Sequence, residues 1–194
     1  MVDIELDAAN RVRDGVHSMW AGVAGAWAEY ADDADRRAAA VTEAMLEGAA
    51  VGPGHRVLEL ACGPGGAGLA AAARVQPGGE VVLSDVADEM VTVAAARARV
   101  RDLPNVCTMT LDLEAIAQPD CSYDRVLCRD GLMFALDPPR AVREMHRVLR
   151  DDGRIAVVVW GPRERNPWLS IVLDAVSAQL GMPVPPPGVP GPAG

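Results

Sequence analysis

Between Arg56 and Trp160 the chain alternates short apolar runs with stretches of helical periodicity, and nothing else in it constrains the fold as strongly. Arg56 to Ala61 is the kind of run that a parallel sheet buries on both faces. Glycines follow at once, and Leu69 to Val75 then reads as helix. Glu80–Ser84 is predicted as a second strand, Asp88–Val100 as a helix, Val106–Leu111 as a third strand and Tyr123–Cys128 as a fourth. Asp137-Pro138 offers an N-cap acid and a first-turn proline for a helix running to about Leu149. Asp152-Gly153 is predicted to turn the chain into a fifth strand, Arg154–Trp160. Strands separated by helices pair in parallel through right-handed crossovers, so one doubly wound α/β domain with a mostly parallel sheet is predicted.

Helical pattern also flanks this core. It fills Asp7 to Gly48, with Val16, Met19, Trp20, Val23 and Trp27 at three- and four-residue spacing, and a second helical stretch, about Asp35 to Ala49, stops at Gly52-Pro53-Gly54. Trp20, Trp27 and Tyr30 share a stripe, read as helix-packing core ahead of a lid over a ligand. After Gly161-Pro162 a helix is predicted from about Pro167 to Leu180, and Met182–Gly194 is almost wholly Pro, Gly, Val and Ala, a composition expected to be extended or disordered. The expected divisions are therefore 1–52 (helical cap), 53–161 (α/β core), 162–181 (a covering helix) and 182–194 (tail).

Charge narrows the partners. Of 194 residues, 18 are basic and 27 acidic, a formal net charge of −9, which argues against a nucleic-acid backbone as partner. Every basic residue is arginine, so no lysine is present for Schiff-base chemistry or a Walker-type phosphate loop. Arg97, Arg99 and Arg101 read as a solvated helix end, and Asp32, Asp33 and Asp35 as a turn and helix start. Cys62, Cys107, Cys121 and Cys128 form no C-x-x-C pair and are expected to be buried, reduced thiols. His17, His55 and His146 are isolated, and no metal site is expected. No apolar run reaches the ~18 residues of a membrane span, and a cytoplasmic location is expected.

The informative segment is Glu59-Leu60-Ala61-Cys62-Gly63-Pro64-Gly65-Gly66-Ala67-Gly68, between the first strand and its helix. Glycine there lets the backbone turn sharply and approach a ligand closely, and in an open parallel sheet this turn lies where ligands bind. Gly63, Gly65 and Gly68 satisfy G-x-G-x-x-G, and Asp85 stands 20 residues beyond Gly65, suited to ribose hydroxyls. A dinucleotide and S-adenosylmethionine both carry that sugar. Glu59 discriminates, because a carboxylate inside the strand favours the positive amino group and sulfonium of S-adenosylmethionine and repels a pyrophosphate. Asp112, beside Leu113, is placed to accept an adenine amino group.

With these residues in order, the chain resembles class I S-adenosylmethionine-dependent methyltransferases. Glu59–Gly66 is similar to the family's first motif; Asp85 with Met90, then Asp112, then Tyr123-Asp124-Arg125-Val126, follow in its order. The stretch from Trp160 to Trp168 is similar to the ubiquinone and menaquinone biosynthesis type, which acts on small molecules. The resemblance implies a Rossmann-like fold and the cofactor S-adenosyl-L-methionine, with S-adenosyl-L-homocysteine as product. It implies that Gly63 and Gly65, with Ala61 and Glu59 close by, carry the methionine part. Asp85 would hold the ribose, Val86 and Met90 would flank the adenine, and Asp112 and Leu113 would meet its edge. Cys128 and Arg129 would lie near the sulfonium and substrate. No catalytic residue is singled out.

Three departures stand out. Gly66 and Gly68 imply a more flexible loop, and Asp130 replaces the apolar or aromatic residue that relatives often carry. The family's seven-stranded sheet is expected here with five strands, its last two missing, which would leave the fifth strand an apolar edge prone to reduced stability or to pairing two copies as a homodimer. Two rivals to methyl transfer to a small molecule are a degenerate fold that only binds the cofactor and an NAD(P)-dependent oxidoreductase. The second is opposed by Glu59 and by the lack of a Tyr-Lys or Cys-His set.

Overall fold

The computed structural model describes residues 2–184, so 185–194 of the expected tail lie outside the described residues. The elements are α1 (Val2–Arg37), α2 (Ala39–Gly48), β1 (Arg56–Leu60), α3 (Gly66–Arg74), β2 (Glu80–Asp85), α4 (Asp88–Val100), β3 (Val106–Thr110), β4 (Tyr123–Arg129), α5 (Pro138–Val148), β5 (Leu149–Val158) and α6 (Pro167–Leu180). The five strands stand in the order β3-β2-β1-β4-β5, every neighbouring pair parallel. This is the α/β Rossmann-like fold.

Strand pleating explains the core. Successive side chains of β1 point to opposite faces. Val57 joins Leu83, Leu127 and the alanines of α3 on one side, while Leu58 and Leu60 join Tyr123, Met145 and Val148 on the other. The ring of Tyr123 is fully buried, and its hydroxyl meets Gln118 Oε1 at 2.8 Å. Asp137 caps α5 as its sequence suggests, accepting from Arg140 N–H at 2.9 Å.

Several local expectations change. The first helix runs unbroken to Arg37, so Asp32, Asp33 and Asp35 lie in its final turns instead of starting a new helix. β5 begins at Leu149, because Tyr123 pairs with Leu149 and Arg125 already pairs with Arg154; residues 150–153 bulge out between them. The predicted turn is thus an irregularity within the strand. Cys62 and Cys128 are buried, but Cys107 and Cys121 are exposed, the first on edge strand β3 and the second in a turn. No helix links β3 to β4; residues 111–122 make that crossing with a single Asp112–Ala115 bridge. The chain therefore passes from the β3 edge back to the other side of β1, which opens a crevice at the carboxyl ends of β1 and β4.

Candidate functional site

A cavity of about 670 Å³ occupies that crevice. Its floor is the β1–α3 loop and the ends of β2 and β4; α1 and the segments after β4 and β5 complete its walls.

Backbone conformation shapes the floor. Ala61 and Gly63 both adopt left-handed φ of 51°, and Gly65 lies at 87°. No atom comes within 4 Å of where a Gly63 Cβ would stand, so this turn faces open space. Asp85 fixes it from the neighbouring strand: its Oδ2 accepts from Gly63 N–H at 2.8 Å and its Oδ1 from Ala87 N–H at 3.1 Å. A carboxylate has about four acceptor positions, and with the Val86 N–H also favouring its charged form Asp85 keeps capacity for a further donor. Burial raises the Asp85 carboxyl, while these N–H bonds pull it down. Asp112 accepts from Glu114 N–H through Oδ1 at 2.8 Å.

Ala61, Gly63, Asp85, Val86, Met90, Asp112, Leu113 and Arg129 all line the cavity, while Glu59, Gly65 and Cys128 stand behind its wall. Glu59 is buried beneath the loop, where Oε2 accepts from Gly68 N–H at 2.7 Å, satisfying an otherwise unpaired donor of α3's first turn. Gly65 packs against Leu83 and Ala94. The Cys128 thiol is pushed up to about 12 by burial, which leaves it neutral at ordinary pH. Arg129 donates to Thr42 Oγ1 at 2.6 Å, and its charge favours ionised Glu59.

Gly68 is a packing requirement. A Cβ there would collide with Leu83 and stand 2.6 Å from Glu59 Oε2. The loop is held, not loosened, by its glycines.

Burial lifts the Glu59 carboxyl from 4.5 to about 7. A carboxyl whose pKa is higher in the folded state binds its proton more tightly there, so stability is highest with Glu59 protonated and falls as pH rises through that window. By linkage the loss is on the order of 3 kcal/mol between pH 4.5 and 7. Glu59→Gln is expected to flatten this slope. Urea unfolding across that range checks it, and a slope unchanged by the substitution would contradict the assignment.

Several wall residues were not legible as such. Trp20 and Trp27 line the cavity, so the stripe read as packing core contributes wall, whereas Tyr30 is 58% exposed and not part of it. All four tryptophans and the single phenylalanine of the chain meet here. They form two edge-on pairs, Trp20–Phe134 and Trp160–Trp168, each with centroids 5.1 Å apart.

Ion pairs hold α1 over the cavity. Arg13 bonds Glu114 at 2.9 Å, and the buried Glu114 also accepts from the Leu136 and Asp137 N–H groups. At the other end, Arg97 bonds Asp35 at 2.6 Å, Asp32 at 2.8 Å and the Pro64 carbonyl of the glycine loop at 2.7 Å. Arg101 joins the same two aspartates, so neither arginine is a merely solvated helix end.

Residues 57–153 match the family model described as a methyltransferase domain. The ubiquinone/menaquinone biosynthesis C-methyltransferase UbiE of Ectopseudomonas mendocina is 36% identical over 133 residues, 68% of this chain and 52% of that protein. The crystal structure of YcgJ from Bacillus subtilis has a TM-score of 0.59 and 32% identity, covering 70% of this chain and 57% of that one. A Haloferax volcanii methyltransferase solved with its Trm112 activator has a TM-score of 0.65 at 22% identity, a likeness of fold, over 85% of this chain and 68% of that one. The chain belongs to the methyltransferase-domain family, in its class I S-adenosylmethionine-dependent, UbiE-like kind. It spans about half the length of the curated relatives it matches.

Proposed function

We propose that this domain binds S-adenosylmethionine in the cavity and directs its methyl group to a small-molecule acceptor. The observation that carries this reading is Asp85, which anchors the Gly63 and Ala87 N–H groups, keeps acceptor capacity beyond them, and lines the cavity. A carboxylate so placed suits the vicinal hydroxyls of a ribose. The open, left-handed Gly63 turn suits the methionine part, Val86 and Met90 the faces of adenine, and Asp112 with Leu113 its edge. When bound, the cofactor supplies an electrophilic methyl on a sulfonium.

The protein's contribution is alignment and exclusion of water. α1 with Trp20 and Trp27 covers one side of the cavity, and Trp160, Trp168 and Leu169 another. In this reading Glu59 acts from behind the loop, fixing the start of α3 through Gly68, and Gly65 lets the turn close against Leu83. Cys128 and Arg129 end the strand beside the acceptor space, with Cys128 as neutral filler and Arg129 as a tie to α2.

No helix among the described residues is long and apolar enough to cross a membrane. A cytoplasmic location, argued from free thiols, and pairing of two copies along β5, where Val157 is exposed, complete the reading.

Calorimetric titration with S-adenosylhomocysteine and, separately, NADH tests it. Heat with the first and none with the second is expected. Heat with NADH alone would select the oxidoreductase reading instead.

A further inference from the structure

Helix α1 meets the α/β core at two places that bracket the end of β2. Arg13 bonds Glu114 in the segment after β3 at 2.9 Å, and about three turns later Ala24 is buried with Ala87 and Met90, with Trp20 packed on the same cluster. Both places adjoin Asp85. Ala87 N–H bonds its Oδ1 at 3.1 Å, and Leu111 N–H, just ahead of Glu114 in the chain, bonds its backbone O at 3.0 Å. The stretch of α1 between the two attachments therefore passes over the carboxyl end of β2.

Arg13, Val16, His17 and Trp20 line the cavity from that stretch, a three- and four-residue spacing that sets them on one face of the helix. His17 is half-buried there, and its ring nitrogens have no hydrogen-bond partner among the described residues. Its charge nonetheless reaches Asp85. Burial raises that carboxyl, and after the N–H bonds from Ala87, Gly63 and Val86 the charge of His17 draws it down further.

A ribose needs partners of both kinds, because each hydroxyl donates its hydrogen and accepts on its oxygen. Ionised Asp85 only accepts, so it takes hydroxyl protons and leaves the oxygens' lone pairs unmatched. In a crevice shielded from water those lone pairs need a donor. Asp14 lines the cavity from the same face of α1 and makes no bond among the described residues, but it is exposed, and an ionised carboxylate cannot donate. Of the arginines on the wall, Arg13 is drawn to Glu114, and Arg129, at the end of β4, to Thr42. An imidazole carries an N–H whether neutral or protonated.

Resting on the methyltransferase reading, we propose that His17 is a cofactor-binding residue, its ring N–H donating to the ribose oxygens whose protons Asp85 takes. The sugar is then gripped from β2 below and from the helix above. A ligand that touches both binds the closed arrangement better than an open one, so the cofactor itself helps to hold α1 over the cavity.

The test is calorimetric titration of the full chain at pH 7 with S-adenosylhomocysteine and with its 2′,3′-dideoxy analogue. His17→Ala is expected to weaken binding of the first roughly tenfold and of the second less than about twofold, since the analogue lacks the oxygens that the ring would reach. His17→Gln, whose amide N–H can donate, is expected to bind S-adenosylhomocysteine within roughly threefold of wild type. His17→Leu, which keeps bulk without a donor, takes the place of the alanine variant should that one fail to fold. A purely structural role for His17 would cost both ligands alike. Equal losses on the two ligands, a donor-free variant within about threefold of wild type, or a glutamine variant no better than the donor-free one would overturn the proposal. Wild-type chain that binds neither ligand would sink the methyltransferase reading itself, whereas S-adenosylhomocysteine binding that ignores His17 would sink this proposal alone.

Discussion

Asp85→Ala is expected to weaken S-adenosylhomocysteine binding by roughly 100-fold or more while leaving the chain folded. The substitution removes the carboxylate that lines the cavity at this point, and hydrogen bonds to a charged group contribute about 1.5–3 kcal/mol each. It also releases Gly63 N–H, so the turn that approaches the ligand loses its anchor on β2. The fold is spared because the sheet register around Asp85 is carried by backbone bonds, and Leu111 N–H still meets Asp85 O at 3.0 Å. Asp85→Asn keeps the volume and one acceptor oxygen, and is expected to lose about tenfold. Calorimetry with a parallel thermal melt separates affinity from stability. An alanine variant that binds within about threefold of wild type would remove Asp85 from the site.

Gly68→Val carries the largest expected cost in stability, more than about 3 kcal/mol. Its Cβ would run into Leu83, approach Glu59 Oε2 to 2.6 Å and Val81 Cγ1 to 3.3 Å. Leu83 and Val81 are fully buried in the core under α3, so neither can move aside without opening it. Pushing Glu59 away also strands a buried carboxylate from the N–H that it satisfies. Urea unfolding measures the loss. Gly25→Ala on α1, where nothing lies within 4 Å of a Cβ, serves as control and is expected to change little. Equal stability of the two variants would show that α3 can lift from the sheet, contrary to the packing described.

The central strands β1 and β2 were legible because they are buried on both faces and therefore mostly apolar, with glycines marking the β1–α3 turn, and the partly exposed edge strands β3 and β5 from their place in the alternation. The floor of the site was legible for a related reason: Gly63, Asp85 and Asp112 sit at strand ends, whose order a parallel sheet fixes in space. What stayed hidden depends on contacts between distant residues. Arg97 and Asp35 are 62 positions apart, and no local pattern shows that one arginine joins α1, α4 and the Pro64 carbonyl. Trp20 and Trp27 have the spacing of a packed helix whether they meet a core or a cavity. Glu59 was recognisable as a buried acid, but its partner is an N–H nine residues on instead of a ligand's ammonium.

Two fastenings of α1 differ in shelter. Arg97 is 13% exposed and holds several partners, whereas Arg13 is 36% exposed and grips Glu114. Dissolved ions screen the more accessible pair first. Raised salt is therefore expected to loosen the Arg13 contact with Glu114 before the Arg97 cluster, uncovering the cavity first from the amino-terminal side of α1.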